Sequence, residues 1–143
     1  MKEIIVENVH KMSGTLTNIG NAQFTVKQII NNVDKCSINF VEIEPGNFAY
    51  SYHYHEENEE AFYIISGEAL VKTEEGDKYL TAGDIICFPA NIKGSHVIYN
   101  NSKTEKLVYI DYGTMNLPDV IHFPNTHTGM TVTKDGVYDI VDE

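Results

Sequence analysis

His53-Tyr54-His55 puts two imidazoles on alternate residues of a β-rich stretch. In an extended strand such residues face the same side, close enough to share one ion, while Tyr54 turns to the opposite face. Glu60 follows across the polar stretch Glu56-Glu57-Asn58-Glu59, which can turn the chain and bring a carboxylate back. Imidazole and carboxylate together are ligands for a divalent transition metal. A further histidine, His96, stands in a later apolar run, and only the fold can place it. Read alone, His53, His55 and Glu60 also fit a pair of surface histidines beside a solvated acidic run.

The elements that must hold these side chains read as strands. Short apolar segments rich in β-branched and aromatic residues recur at Gln23–Ile30, Cys36–Ile43, Ala61–Ile65 and Ala69–Thr73. They continue at Lys78–Leu80, Ile85–Phe88, His96–Tyr99 and Leu107–Asp111. Turn residues separate them: Pro45-Gly46, Ser66-Gly67, Ala82-Gly83-Asp84 and Asn100-Asn101-Ser102. Glu74-Glu75-Gly76-Asp77 reads as a hairpin turn. Val26–Val33 is the best helical rival, and its β-branched residues argue against a helix. Many short strands with regular glycine turns predict an all-β sandwich or barrel. The tail after Pro118 carries weaker strand patterns, interrupted by Pro124, and is expected to pack across the outside of the barrel.

Length and charge narrow the classes further. The 143 residues suit one domain, with a core that needs no disulfide or metal to hold it. Net charge is −11, from 10 basic and 21 acidic residues. Such a surface repels nucleic-acid phosphates and anionic lipid, so no nucleic-acid or membrane partner is expected. Acids interrupt Met1-Lys2-Glu3-Ile4-Ile5-Val6-Glu7 where a signal peptide needs an unbroken apolar stretch. No apolar run approaches the ~18 residues of a membrane span. A cytoplasmic location is expected, with Cys36 and Cys87 as buried free thiols.

The surroundings of the histidines resemble the cupin superfamily, and within it the small single-domain bacterial cupins. The first cupin motif is Gly, a short spacer, His-x-His, three or four residues, Glu, six residues, Gly. Here it reads Gly46, six residues, His53-Tyr54-His55, four residues, Glu60, six residues, Gly67, with a first spacer one residue longer than usual. The second motif is Gly, five residues, Pro, a short Gly-containing turn, His, three residues, Asn. Here it reads Gly83, five residues, Pro89, the turn Ala90 to Ser95, His96, three residues, Asn100. That turn is two residues longer than the commonest form, and Asn91 stands where Gly is common. The resemblance implies a double-stranded β-helix, or jelly-roll barrel. The single domain would span residues 1–143, with a core at about 36–112 and both termini packing outside.

The resemblance also implies that His53, His55, Glu60 and His96 hold one divalent metal, with Fe, Mn, Zn, Ni and Co all open. Glu59 is the rival carboxylate. Strand parity favours Glu60, because Phe62 and Ile64 then point inward with it. Gly67 and Gly83 are expected as turn residues, Asn100 as a turn-closing side chain, and Pro89 as a stiffener before His96. His10, His122 and His127 are expected to be ordinary surface or partly buried residues. An octahedral ion with four protein ligands keeps two positions for water, dioxygen or a small-molecule substrate, and the resemblance implies dioxygenase- or isomerase-type chemistry there. The alternative is a non-catalytic ligand-binding or regulatory module. Tyr52, Glu59 and Lys93 are weak candidates for moving a proton. Metal is expected to leave as pH falls through about 6, where imidazole protonates. The resemblance also implies a homodimer, with the N-terminal segment pairing across the interface.

Overall fold

A computed structural model describes residues 3–30 and 35–141. Its strands form two antiparallel sheets. The six-stranded sheet runs in the order β1 (Thr15–Ile19), β2 (Ala22–Ile30), β3 (Cys36–Ile43), β10 (Leu107–Thr114), β5 (Glu60–Ser66), β8 (Ile85–Phe88). The seven-stranded sheet runs β13 (Gly136–Val141), β12 (Thr128–Thr133), β11 (Asp119–Phe123), β4 (Phe48–His55), β9 (His96–Tyr99), β6 (Glu68–Thr73), β7 (Gly76–Thr81). This is the jelly-roll barrel expected from the sequence.

Side-chain alternation builds the interior. On β5, Phe62 and Ile64 are buried while Tyr63 between them is 45 % exposed. On β10, Leu107, Tyr109 and Asp111 point inward. Phe24, Val41, Ile43, Val71 and Ile98 complete an apolar core between the sheets. Phe62 packs on both Phe88 and Tyr109, with ring centroids 5.0 and 4.9 Å away, contacts worth ~0.5–1.5 kcal/mol each beyond area burial.

All eight expected strands form, with β3, β8 and β9 at their expected bounds. The expected hairpin turn joins β6 to β7, with Thr73 opposite Gly76. The helical rival at Val26–Val33 is strand as far as Ile30, and its residues 31–33 lie outside the described residues. Strand β1 had no clear sequence signal. The tail after Pro118 forms β11, β12 and β13, and β11 pairs with β4 inside the seven-stranded sheet. The cysteines are free, but Cys36 is only half-buried and Cys87 is exposed. Cys87 alternates outward on the edge strand β8, so the expectation of two buried thiols is corrected. Among the described residues, no helix is long and apolar enough to cross a membrane.

Two motif residues serve the backbone. Gly67 has φ of +87°, and a Cβ there would lie 2.5 Å from the Lys106 carbonyl oxygen. Asn100, 1 % exposed, donates from Nδ2 to the carbonyls of Ile43 and Glu105 and accepts from the Ser102 amide. It therefore closes its turn as expected.

Candidate metal centre

Strand β4 carries His53 and His55 on one face. Strand β9 lies beside it with His96 directly opposite His53, their ring centroids 4.7 Å apart. Glu60 comes from the other sheet, as the first residue of β5. Its Oε1 lies 3.3 Å from His53 Nε2, 3.0 Å from His55 Nε2 and 3.5 Å from His96 Nε2. His53, Glu60 and His96 offer ligand atoms that all lie within 4.8 Å of one another. Glu59, the rival carboxylate, is exposed and binds Thr114 through its backbone.

The far nitrogen of each ring is already committed. His53 Nδ1 donates to the Ser51 carbonyl at 2.6 Å, and His96 Nδ1 to the Gly94 carbonyl at 2.8 Å. His55 Nδ1 lies 2.7 Å from Asp119 Oδ2. Carbonyl and carboxylate oxygens only accept, so each Nδ1 carries the proton, and a neutral ring must then offer its Nε2 lone pair. The three Nε2 atoms thus converge on a carboxylate oxygen, and in the metal-free protein His55, whose pKa is raised to about 9, still carries a second proton there and donates it to Glu60. His96 Nε2 is buried with no hydrogen-bond partner. An acceptor so placed is costly unless something positive sits against it. Separations of 3.3 and 3.5 Å from Glu60 Oε1 to the His53 and His96 nitrogens suit neighbours around a transition metal with bonds of about 2.1 Å, while His55 stands outside the group whose ligand atoms all lie within 4.8 Å of one another. The residues present therefore fit a divalent ion.

Ring positions are fixed by packing. His96 stacks on Phe88 at 3.6 Å between centroids, with its rings 11° from parallel. Gly94 ends the short 3₁₀ turn Ile92–Gly94, and a Cβ there would fall 1.8 Å from the Pro89 carbonyl oxygen. Pro89 and Gly94 thus close against each other and aim the carbonyl that holds His96.

Electrostatics follow from burial and these contacts. Burial works against a charged His55, yet hydrogen bonds to Asp119 and Glu60 outweigh it and raise its pKa to about 9. Burial lowers His96 to about 4. Burial also opposes ionisation of Glu60, but His53 and His55 hold its carboxyl well below the usual range. Asp111, inward on β10 and hydrogen-bonded to Glu60, is pushed well above the carboxylate range by burial and then by Glu60's charge. Burial, with Asp111 and Glu60 adding, raises Tyr50 to about 12.

Beside the cluster lies a cavity of about 180 Å³, lined by Tyr50, His53, His55, Ile121, Phe123 and Met130. Three residues here were not read from the sequence. Tyr50 sits at φ of +59° where the β4–β9 register shifts, so it joins the cavity wall against simple alternation. Asp119 arrives with the tail strand. Asp111 looked like any acid ending an apolar run. Tyr52, Glu59 and Lys93 are not among the residues lining the cavity; Tyr52 lines a separate surface cleft. Among the other histidines, His10 and His127 are exposed, and His122 is partly buried, 2.8 Å from Glu56 and stacked on Tyr54.

Solved structures share this architecture. A candidate sugar phosphate isomerase from Acidithiobacillus ferrooxidans is 26 % identical, with a TM-score of 0.84 over 92 % of this chain and 86 % of its own. A cupin-superfamily sugar phosphate isomerase from Silicibacter pomeroyi is 15 % identical, with a TM-score of 0.83 over 94 % and 90 %. The polyketide cyclase RemF from Streptomyces resistomycificus is 15 % identical, with a TM-score of 0.66 over 83 % of each chain. No curated protein matches the chain in sequence. The sequence model of the cupin domain matches residues 39–112, just over half of the chain and the whole of the stretch that carries the histidines and Glu60, so this protein belongs to the cupin family.

Proposed function

We propose that this protein is a mononuclear metalloenzyme acting on a small, uncharged organic molecule through isomerase-type proton transfer. The observation that carries the reading is the convergence of three imidazole Nε2 atoms on Glu60 Oε1 at the wall of a cavity. His53, His55, Glu60 and His96 would hold the ion. When bound, a divalent ion supplies Lewis acidity toward a substrate oxygen, and iron in the same ligands would add redox chemistry with dioxygen.

This chain's own residues define the rest. Tyr50 keeps its phenol proton through the neutral range, so it can donate a hydrogen bond to a substrate oxygen in the cavity. Ile121, Phe123 and Met130 exclude water and favour an apolar body. The sugar phosphate isomerases suggest a phosphorylated substrate. Against that, no lysine lines the cavity and the sequence contains no arginine. Apart from the ion itself, a phosphate would find no lysine or arginine side chain in the cavity, so an uncharged hydroxy-ketone or diketone fits better.

A second reading, dioxygenation, is favoured by one observation. His53, His96 and Glu60 form a 2-His-1-carboxylate set. Metal-reconstituted protein offered α-hydroxy ketones and β-diketones in D₂O separates these readings. Metal-dependent deuterium incorporation, reduced about 10- to 100-fold in Tyr50→Phe, supports proton transfer. Oxygen uptake without exchange supports dioxygenation. Saturable binding with neither activity would replace both with a ligand-binding module.

A further inference from the structure

Phe123 lines a second hollow as well as the metal cavity. Strand β11 pairs with β4 only at Ile121 with His55 and His122 with Tyr54, and the pairing stops before Phe123. The bulge on β4 divides the side chains beside that opening. Tyr50 lines the metal cavity, while Ser51 and Tyr52 line a surface cleft of about 910 Å³. Two turns flank the cleft: β1 to β2 through Gly20 and Asn21, and β11 to β12 through Asn125 and Thr126. Its size falls within the ~300–1,000 Å³ of small-molecule sites. None of His53, His55, Glu60 and His96 lines it.

We propose that this cleft is a binding site for a neutral carbohydrate, a short chain of sugar rings. Its lining selects that chemistry by charge, polarity and shape. The charged side chains in it are Lys72 and Asp77, which stand opposite each other in the β6–β7 register and cancel. An anion drawn to Lys72 meets Asp77 beside it, on a chain that carries −11. A cation drawn to Asp77 meets Lys72. Lys72 Nζ also lies over the Tyr99 ring, 5.5 Å from its centroid, which satisfies part of its charge. The cleft therefore favours an uncharged ligand.

Polarity excludes a purely apolar one. Asn21, Ser51, Tyr52 and Asn125 bring amide and hydroxyl groups, and among the described residues these side chains have no hydrogen-bond partner. Thr126 and Thr128 bond each other through their Oγ1 atoms at 2.7 Å, which fixes two more hydroxyls at the rim. An apolar molecule would strip water from these groups and offer nothing in return. A molecule with many hydroxyls replaces that water bond for bond. The floor supplies the last requirement. Phe48 and Tyr99 are cross-strand partners with ring centroids 5.0 Å apart, and Val97, only 4 % exposed, lies beside them. The negative faces of such rings suit the C–H face of a sugar. Hydroxyls at the edge and C–H groups on the face describe a carbohydrate ring.

The test is titration of the full chain with maltotriose, cellotriose and xylotriose, followed by calorimetry and by amide NMR shifts. At least one should saturate with a dissociation constant of about 1 mM or tighter. Chelator treatment should leave that constant unchanged, because no metal ligand lines the cleft. The amides of Ser51, Thr73 and Asn125 should shift, and those of Ile121 and Met130 in the metal cavity should not. Tyr99→Ala should weaken binding at least about 10-fold. Asn125→Ala, on an exposed turn where folding is not at risk, should weaken it about 3- to 10-fold. No saturation by any of the three sugars up to about 10 mM overturns the proposal. So do shifts confined to Ile121 and Met130, loss of binding on chelation, or wild-type binding by both variants. Glucose 6-phosphate bound more tightly than the neutral sugars would show a cleft that takes anions through Lys72, and also overturns it.

Discussion

Asp119, in the tail strand β11, accepts the Nδ1 proton of His55 at 2.7 Å. The same carboxylate accepts the Glu57 amide and the Asn58 side chain, each at 2.9 Å. A residue 64 positions away thereby sets the tautomer of one candidate ligand. It also ties the tail to the loop between His55 and Glu60.

Asp119→Ala should lower metal affinity about 10- to 100-fold, as losing such a partner usually does. It should also cost ~1–3 kcal/mol of stability, because buried donors lose their acceptor. Chelator competition and thermal melts with and without metal check the two effects. Full affinity in the variant would show that His55 needs no partner.

The pH dependence follows from the two shifted histidines. His55 in the metal-free protein is raised to about 9, above its unfolded value near 6.5. Its contribution to stability is complete below about 6.5 and is lost as pH rises through about 9. His96 is lowered to about 4, so the unfolded chain binds that proton more readily. Its contribution is complete above about 6.5 and falls as pH drops from there toward about 4. These two residues therefore place the stability maximum of metal-free protein near neutral pH. Metal must displace the His55 proton, so affinity should rise about tenfold per pH unit up to about 9. Calorimetry in buffers of different ionisation enthalpy should find about one proton released at pH 7. This onset is higher than the value near 6 expected from unperturbed imidazole, because Asp119 and Glu60 hold the proton.

Gly94→Ala tests the loop before His96. An added Cβ would fall 1.8 Å from the Pro89 carbonyl, and only backbone movement could relieve it. A loss of ~3 kcal/mol or more is expected. Metal affinity should fall with it, because the Gly94 carbonyl holds His96 Nδ1. Chemical denaturation gives the first number and chelator competition the second.

Much of the centre was legible because short-range periodicity fixed it. His53 and His55 share a face by strand parity, and Phe62 and Ile64 beside Glu60 are buried as parity required. His96 became legible through the motif around it, and in the fold it is the cross-strand partner of His53. What escaped depends on departures from alternation or on long-range pairing. Tyr50 faces the cavity through a bulge that period-2 reading cannot foresee. Asp119 depends on β11 pairing with β4, and Asp111 on β10 lying beside β5.

The central claim is that His53, His55, Glu60 and His96 hold one divalent transition metal. The direct measurement is elemental analysis of protein purified without chelator or nickel resin, repeated after dialysis against Mn, Fe, Co, Ni and Zn. The account predicts about one equivalent of one of these metals in the wild type, and a sharp loss in Glu60→Gln and His96→Ala but not in Glu59→Gln. A wild type that takes up none of the five, or a His96→Ala variant with undiminished content, would contradict it.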